Sequence, residues 1–182
     1  MPAVSDAGPL IHLSQIRSLN LLEEMFGKIR ITTSVRHEVV DEGIRLGYPD
    51  ALLVKDALTK GDIIVAKLNP RLVGRATRLA SRERISLSDS QTLVLARKLG
   101  QPLLTDEKIL SALARMYGLK VWNTWTILLE ALRMRIIHKT VIHEAIHELA
   151  EKRHKLSSKR AEEILNAADR ILSSQEKRAG QP

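Results

Sequence analysis

The sequence predicts an α/β fold with a central parallel sheet and a helical extension at its C-terminal end. Short apolar strands alternate with helical segments from the N-terminus to about residue 135, and this alternation is typical of a parallel sheet with helices on both faces. Residues 136–175 show helical patterning without a strand signal. We therefore predict an α/β domain over residues 1–135, a helical extension over residues 136–175 and a flexible tail over residues 176–182.

The first part of the chain supplies two strands and the helices that follow them. Residues 3–5 form a short apolar run that ends at Asp6, and a Gly-Pro break separates this run from the first helix. Residues 29–31 alternate between apolar and polar side chains, as a strand does. The threonines and serine after this second strand are good N-cap residues for a helix that starts near Val35, with Glu38 in its first or second turn.

Three further strands and their helices complete the predicted domain. These strands are short and apolar, and we place them at residues 62–66, 102–105 and 119–122. Pro70 begins a long helix after the first of them, at a position that tolerates proline. Asp89 opens the next helix, and Asp106 lies at the end of the strand that follows.

The composition excludes several classes of protein. The 182 residues include no Cys, which rules out disulfide scaffolds, thiol catalysis, zinc fingers and iron–sulfur sites. The N-terminal segment lacks a basic start and has an Asp within its apolar run, so we expect neither a secretory signal nor a membrane-spanning helix, and a cytoplasmic location. The net charge of +8, from 29 basic and 21 acidic residues, favours an anionic partner such as nucleic acid.

Four acidic residues are predicted to lie at one edge of the sheet. Asp6 and Asp106 end strands, Glu38 lies just beyond the second strand, and Asp89 starts a helix. Because groups at the carboxyl ends of parallel strands converge on one crevice, these four carboxylates could meet. Buried like charges repel strongly unless they hold a cation, and oxygen ligands favour Mg²⁺ or Mn²⁺ over zinc. Such a site in a basic protein indicates phosphodiester chemistry.

Each acid also has a simpler local interpretation. Asp6 and Asp89 could each be the N-cap of a helix, because Asp is favoured at that position. Asp106, together with Glu107, could favour the positive end of the next helix. Glu38 could equally be a surface residue. The placement of acids at the ends of separate strands nevertheless favours the metal site as their joint explanation.

Four segments around these acids resemble the motifs of PIN-domain nucleases. They read VSDAGPLI at residues 4–11, VRHEV at residues 35–39, DSQTLVLA at residues 89–96 and LLTDE at residues 103–107. Their order and spacing are similar to those of the family, although the subgroup in question often has Glu at position 89 and a second acid where this chain has Gln91. The similarity continues into the final helices, as in a VapC-like subgroup with a helical C-terminal extension, and covers nearly the whole chain.

The resemblance implies a three-layer α/β domain with the activity of a Mg²⁺- or Mn²⁺-dependent endoribonuclease that uses metal-activated water. The residues that it implies as metal-binding and catalytic are Asp6, Glu38, Asp89 and Asp106, with Thr105 and Glu107 as accessory residues. Whether Asp106 or Glu107 faces the metal stays open. The resemblance also implies a homodimer and the role of toxin in a toxin–antitoxin pair, with RNA and an antitoxin protein as partners. The alternative is a catalytically silent PIN-like module that binds RNA or protein.

A stripe of arginines is predicted on the helix that begins at Pro70. Its members recur at helical spacing opposite an apolar side, and they are Arg71, Arg75, Arg78 and Arg82. We predict that this stripe binds nucleic acid, and a merely solvated helix face is the alternative.

The C-terminal part contains a match to the zinc-protease motif H-E-x-x-H, at residues 143–147. On a helix, His143 and His147 lie one turn apart and could bind zinc with Glu144 as the base. The third ligand could be Glu162 or Glu163. The motif lies in a short segment without a strand beside it, so an ordinary amphipathic helix is the favoured interpretation and a zinc peptidase the remote alternative.

Overall fold

A computed structural model describes residues 1–151 and 156–179 of the chain. The chain divides into two compact units, Met1–Thr124 and Trp125–Pro182. This division lies before residue 135, where the sequence placed the boundary between the sheet domain and its helical extension. None of the helices within the described ranges is both long and apolar enough to span a membrane.

The first unit is built around a parallel sheet, which confirms the predicted fold class. Within the described residues this sheet has five strands, namely β1 (Ala3–Ser5), β2 (Ile29–Thr32), β3 (Ile63–Ala66), β4 (Leu103–Leu104) and β5 (Val121–Trp122). Their spatial order is β3-β2-β1-β4-β5, and every neighbouring pair is parallel. Helices flank the sheet in a three-layer arrangement.

The strand order contains a switch of direction at its centre. The chain proceeds from β1 outward through β2 to β3, then returns to place β4 on the other side of β1. In the register, Val4 is opposite Leu103 and Ser5 is opposite Leu104. Ligands of open parallel sheets bind beyond the carboxyl ends of the strands at such a switch point, and here that position lies beside the ends of β1 and β4.

Helices connect the strands of this unit at the places that the sequence patterns indicate. Their bounds are α1 (Ala7–Gln15), α2 (Leu21–Phe26), α3 (Thr33–Arg36), α4 (Gly43–Arg45), α5 (Asp50–Lys60), α6 (Pro70–Glu83), α7 (Leu87–Leu99) and α8 (Lys108–Met116). The segment His37–Glu42 between α3 and α4 is a π-helix, which is wider than an α-helix. The predicted helix that carries Glu38 is therefore present, with a local widening at that residue.

Three side-chain caps define where helices begin in this unit. The Thr32 side chain accepts a hydrogen bond from the Val35 N–H at the start of α3. The Asn69 side chain accepts one from the Leu72 N–H at the start of α6, and the Ser86 side chain does the same for the Asp89 N–H at the start of α7. Helix α7 therefore begins two residues earlier than predicted, because Ser86 and not Asp89 is its cap.

Apolar side chains from the sheet and from α6, α7 and α8 form one continuous core. Val4 and Leu103 of the two central strands pack with Leu93 and Ala96 of α7, all fully buried. On the outer strand, Trp122 meets Phe26 edge to face, with 5.7 Å between the ring centroids. This core fixes α7 against the sheet, and so fixes the first turn of α7 near the carboxyl ends of the strands.

The second unit consists of helices. They are α9, which begins at the end of the first unit (Thr124–Arg133), α10 (Lys139–Glu151) and α11 (Ser158–Ala179). Buried side chains such as Ile142, Leu149 and Ile164 supply its core. Helix α11 includes residues 176–179, which the sequence assigned to a flexible tail, while residues 180–182 lie outside the described part of the chain.

Candidate metal centre

Asp6 and Thr105 lie together at the switch point of the sheet. Asp6 directly follows β1 and Thr105 directly follows β4, and the Asp6 N–H donates to the Leu104 carbonyl at 2.8 Å. Across the two strand ends, the Thr105 hydroxyl donates to Asp6 Oδ2 at 3.1 Å. Thr105 is fully buried and Asp6 is 5% exposed, so this hydrogen bond holds the carboxylate in one orientation.

Burial gives Asp6 an unusual affinity for its proton. Loss of solvation raises the pKa of Asp6 from 3.8 to about 6, and the negative charges of Asp89 and Glu38 add to this rise. Asp6 is the N-cap residue of α1, although its side chain makes no capping hydrogen bond, and a hydrogen bond with the Ala7 backbone lowers its pKa. A carboxylate whose pKa stays raised by burial in spite of that bond fits a group that binds a cation.

Glu38 and Asp89 form the rest of an acidic trio with Asp6. Burial raises the pKa of Glu38, and the charge of Asp89 raises it further. Asp89 lies in the first turn of α7, where its N–H bonds to Ser86, so the helix-cap interpretation is wrong for its side chain. The charge of Asp89 acts on the pKa of both Asp6 and Glu38, and the charge of Glu38 acts on that of Asp6, which indicates that the three carboxylates share one region at the carboxyl edge of the sheet.

Helix α7 is tied to the helical segment that carries Glu38. The Ser34 hydroxyl of α3 donates to Gln91 Oε1 of α7 at 2.6 Å. Gln91 stands where the resemblance described above leads us to expect a second acid. In this chain, position 91 therefore supplies a structural hydrogen bond between the two elements that present Glu38 and Asp89.

Asp106 belongs to a separate hydrogen-bond network. Its Oδ2 accepts from the Thr124 hydroxyl at 2.7 Å and lies 2.8 Å from His12 Nδ1, and its Oδ1 accepts from the Thr124 N–H at 2.8 Å. Burial alone would raise the pKa of Asp106, but the hydrogen bonds and charge of His12 together with the Thr124 hydrogen bonds hold it below its ordinary value. Gly8 lets the first turn of α1 approach Asp106 closely, since a Cβ at position 8 would stand 3.2 Å from Asp106 Oδ2.

Glu107 contributes its backbone to this edge of the sheet, whereas its side chain is exposed. Its N–H donates to Thr105 Oγ1 at 3.1 Å. The Thr105 hydroxyl therefore accepts one hydrogen bond from Glu107 and donates another to Asp6. Glu107 occupies the cap position of α8 without a capping hydrogen bond. Of the two neighbouring acids, Asp106 is held inward by His12 and Thr124, and Glu107 faces solvent.

The acids do not form a closed cage of metal ligands. Across residues 1–151 and 156–179, no three His, Cys, Asp or Glu side chains stand close enough together to hold a metal ion by themselves. The four predicted acids therefore divide into the trio of Asp6, Glu38 and Asp89, which interact electrostatically, and Asp106, which is committed to other partners.

Sequence reasoning did not assign a role to His12 or Thr124. Each is far from Asp106 along the chain, at separations of 94 and 18 residues, so local patterns give no indication of these contacts. The available signal is that α1 begins directly after Asp6, which places its first turns at the same edge of the sheet.

The predicted arginine stripe is exposed along α6. Three of its members, Arg75, Arg78 and Arg82, line a cavity of about 560 Å³ between α6 and α7. Arg71 is equally exposed but is not part of the lining. The stripe is thus present as predicted, and three of its four arginines face a concave surface.

The histidines of the H-E-x-x-H match point to solvent. His143, Glu144 and His147 are exposed on α10, while Ile142, Ala145 and Leu149 are buried and Ile146 is half-buried. His147 Nδ1 lies 3.5 Å from Glu151. The predicted amphipathic helix is confirmed, and the described residues around this motif present no third metal ligand.

Comparisons with known proteins agree on one family and one fold. The family model of the PIN domain matches residues 2–170. Among solved structures, the chain is similar to PAE2754 from Pyrobaculum aerophilum, with 20% sequence identity and a TM-score of 0.52, over 71% of this chain and 97% of that one. A search of curated proteins finds no match.

Proposed function

The chain belongs to the PIN-domain family, and on that premise we propose that it is an endoribonuclease that hydrolyses RNA phosphodiester bonds with Mg²⁺ or Mn²⁺. PIN domains are generally nucleases. The single observation that carries the finer proposal is the buried carboxylate of Asp6, whose pKa of about 6 reflects burial and the charges of Asp89 and Glu38. This group sits at the switch point of a parallel sheet, where ligands of such folds bind.

The donor set fits a hard divalent cation. The trio offers carboxylate oxygens, and the chain has no Cys to favour a softer metal. Burial raises the pKa of Asp6 and Glu38, and repulsion from neighbouring acids raises it further; a cation would offset both effects. Mg²⁺ is usually held by only one or two carboxylates and keeps several waters, so a cage of three protein ligands is not needed.

The chain's own residues have distinct roles in the proposed reaction. Asp6, with Glu38 or Asp89, would hold the cation, and the third acid would add negative charge beside it, because the three side chains do not stand close enough to bind it together. Thr105 orients Asp6 by donating to its Oδ2. Asp106 acts as a positioning residue, because its oxygens bind His12 and Thr124 and thereby tie α1 to the start of α9. Bound Mg²⁺ or Mn²⁺ would supply an activated water and stabilise negative charge on the phosphodiester oxygens. The arginines of α6 would attract the RNA backbone.

The deciding experiment measures cleavage of a fluorescent RNA by the wild-type chain and by Asp6→Asn, with and without Mn²⁺. We expect metal-dependent cleavage by the wild type and a loss of at least about 100-fold in Asp6→Asn. Glu144→Gln is the matched control, since this exposed carboxylate lies on α10 in the H-E-x-x-H match. Cleavage by Asp6→Asn at the wild-type rate would refute the proposal. Loss of cleavage in Glu144→Gln would indicate that the catalytic group lies on α10.

A second candidate is a PIN-like module that binds RNA without cutting it. It is favoured by the engagement of Asp106 with His12 and Thr124 and by the absence of a three-residue metal cage within the described ranges. This candidate predicts stoichiometric, salt-sensitive RNA binding with no cleavage in any divalent metal. The zinc-peptidase alternative instead predicts bound zinc after dialysis that is lost in His143→Ala.

We extend the proposal to a toxin that forms a homodimer and is neutralised by an antitoxin protein. Family membership supports a nuclease in general, so the toxin role and the homodimer each have a test of their own. Induced expression of the wild type should arrest growth of a bacterial host, and Asp6→Asn should not. Light scattering on the purified chain should give twice the mass of 20.4 kDa. Unimpaired growth or a monomeric mass would remove the corresponding part of the extension.

A further inference from the structure

We propose that the groove between α6 and α7 is a second RNA-contact surface. In this groove Tyr117 positions Arg82 of α6 and Arg97 of α7 to bind the phosphate backbone. The inference rests on the proposed function for its substrate class, and it adds the cations of α7 and the role of Tyr117 to three arginines of the predicted stripe. The groove has a volume of about 560 Å³ and is lined by Arg75, Arg78, Arg82, Arg97, Lys98 and Tyr117 among others.

The charge of this groove is one-sided. Five cationic side chains line it, from the outer face of α6 and the last turn of α7, and within the described residues no carboxylate is part of the lining. Arg82 pairs with Glu83 at 2.7 Å, whereas Arg75, Arg78, Arg97 and Lys98 form no ion pair with a described acid. Concave surfaces lined by one sign of charge focus the field and attract a polyanion.

Tyr117 holds two of these cations in place. The guanidinium of Arg97 lies over the Tyr117 ring, 3.7 Å from its centroid, and Arg82 Nη2 donates to the Tyr117 hydroxyl at 2.8 Å. One aromatic side chain after α8 therefore fixes an arginine from α6 and an arginine from α7. Arginines held in this way lose less side-chain entropy when they bind a phosphate, which favours a built site over a loose basic surface.

The groove is separate from the acidic trio but lies on the same helix. Arg97 and Lys98 follow Asp89 by eight and nine residues on α7, which places them about 12 to 14 Å further along the helix axis. An RNA whose scissile bond lies at Asp89 must extend by a few nucleotides to reach this groove. The groove would then select extended RNA over short fragments and contribute to binding without contributing to the chemical step.

An RNA backbone suits these residues better than an acidic protein segment does. The five cations run along two helices, as a repeating polyanion requires, and guanidinium forks match phosphate oxygens. Arg97 covers one face of the Tyr117 ring, and Tyr117 also packs against the apolar core, so the groove presents charge rather than a ring on which a base could stack. We therefore expect binding that is strong at low salt and insensitive to RNA sequence.

The test measures the Kd of a fluorescent single-stranded RNA by anisotropy in EDTA, where no cleavage occurs, between about 50 and 200 mM KCl. Arg97→Ala and Arg82→Ala should each raise the Kd about tenfold and lower the salt slope by about 0.7, the value for one contact to a single strand. Tyr117→Phe keeps the ring under Arg97 and removes the hydroxyl that binds Arg82. It should raise the Kd about threefold and leave the salt slope unchanged, because no charge is lost.

Lys55→Ala is the control, since it removes an exposed cation of α5 that neither lines the groove nor belongs to the predicted stripe. It should leave the Kd within about twofold of the wild type, in line with a surface site outside the contact. Equal losses in Lys55→Ala and Arg97→Ala, or none in either, would overturn the proposal. Thermal melting of each variant separates loss of binding from loss of folding. The variant Arg97→Lys keeps the positive charge and should therefore retain the salt slope of the wild type.

Two further arms keep this proposal distinct from the proposed function. Asp6→Asn should bind RNA at least as tightly as the wild type, because it removes a negative charge from the proposed cleavage site, and the groove variants should raise KM for RNA while leaving hydrolysis of a small phosphodiester unchanged. If Asp6→Asn still cleaves RNA, the proposed catalytic site fails while the groove result stands. If polyglutamate competes as well as RNA of equal charge and responds to the same variants, an acidic protein is the occupant and the RNA assignment is overturned.

Discussion

At the scale of single residues, Asp6 links stability to the proposed site. Its pKa of about 6, against 3.8 for an ordinary Asp, means that the folded chain binds this proton more tightly than the unfolded chain. Below about pH 4 Asp6 is protonated in both states and its burial does not lower the free energy of unfolding. As the pH rises from about 4 through 6, the burial of Asp6 lowers that free energy progressively. The full cost is about 3 kcal/mol at ~1.36 kcal/mol per unit.

Asp6→Asn should consequently stabilise the metal-free protein at pH 7. Asn is neutral and keeps an oxygen to accept from Thr105, so we expect a gain of up to about 3 kcal/mol in the free energy of unfolding, which vanishes near pH 4. Urea denaturation in EDTA at the two pH values measures this. Asp56→Asn, on an exposed carboxylate of α5, should change stability little at either pH. A variant that is less stable than wild type at pH 7 would contradict the burial argument.

His12 should stabilise the ionised form of Asp106. The pKa of Asp106 is lowered, so this acid contributes stability above its unfolded pKa and loses that contribution as the pH falls through its folded pKa. We expect His12→Ala to cost about 1 to 3 kcal/mol at pH 7 and less at pH 3, measured by urea denaturation. His12→Gln keeps a neutral donor and should recover part of the loss. An equal loss at both pH values would indicate simple packing.

At the scale of elements, the start of α7 decides where Asp89 lies. The Ser86 side chain caps this helix, and Asp89 stands in its first turn beside the other two acids. Ser86→Ala should cost about 1 kcal/mol and loosen that turn. We therefore expect a weaker apparent affinity for Mn²⁺, measured by isothermal titration.

Asn69 offers a matched control for this prediction, because its side chain caps α6 in the same way but α6 carries none of the proposed ligands. Asn69→Ala should lose a similar amount of stability and keep the wild-type affinity for Mn²⁺. If both variants lose affinity equally, the effect comes from general destabilisation and the link between the cap and Asp89 is wrong.

The elements also show which parts of the fold can be predicted from local sequence. The run before Asp6 and the alternation at residues 29–31 predicted β1 and β2, because strand periodicity is a local signal. The start of α7 was placed two residues late, since Ser86 and Asp89 have similar cap propensity and only Ser86 makes the bond. The π-helical turns at Glu38 gave no signal, because the hydrogen-bond pattern there depends on packing rather than on propensity.

The site was predictable to the extent that topology governs it. Asp6, Glu38 and Asp89 converge because the carboxyl ends of parallel strands share one edge, and that rule needs only the element order. The contact of His12 with Asp106 could not be predicted, since it depends on how far α1 tilts toward a strand end 94 residues later. Asp106 faces inward and Glu107 faces solvent because of the same packing of α1 against the end of β4, which the local sequence does not indicate.

At the scale of the whole molecule, one metal titration compares the proposed site at the sheet edge with the H-E-x-x-H match of α10. Mn²⁺ at about ten times its Kd should add about 1.4 kcal/mol and raise the Tm by about 3 to 5 °C. This shift should disappear in Asp6→Asn and persist in His143→Ala, as measured by differential scanning fluorimetry. Loss of the shift in His143→Ala alone would assign the metal to α10.

The strand order has a consequence for when the proposed site comes into being during synthesis. Strand β1 is made before both of its neighbours, and β4 follows it only about a hundred residues later. Contacts of such long sequence separation form slowly. The hydroxyl that orients Asp6 belongs to Thr105, so the proposed site cannot be completed before residue 105 has been translated. The order of the sheet therefore separates the synthesis of Asp6 from the completion of its surroundings by 99 residues.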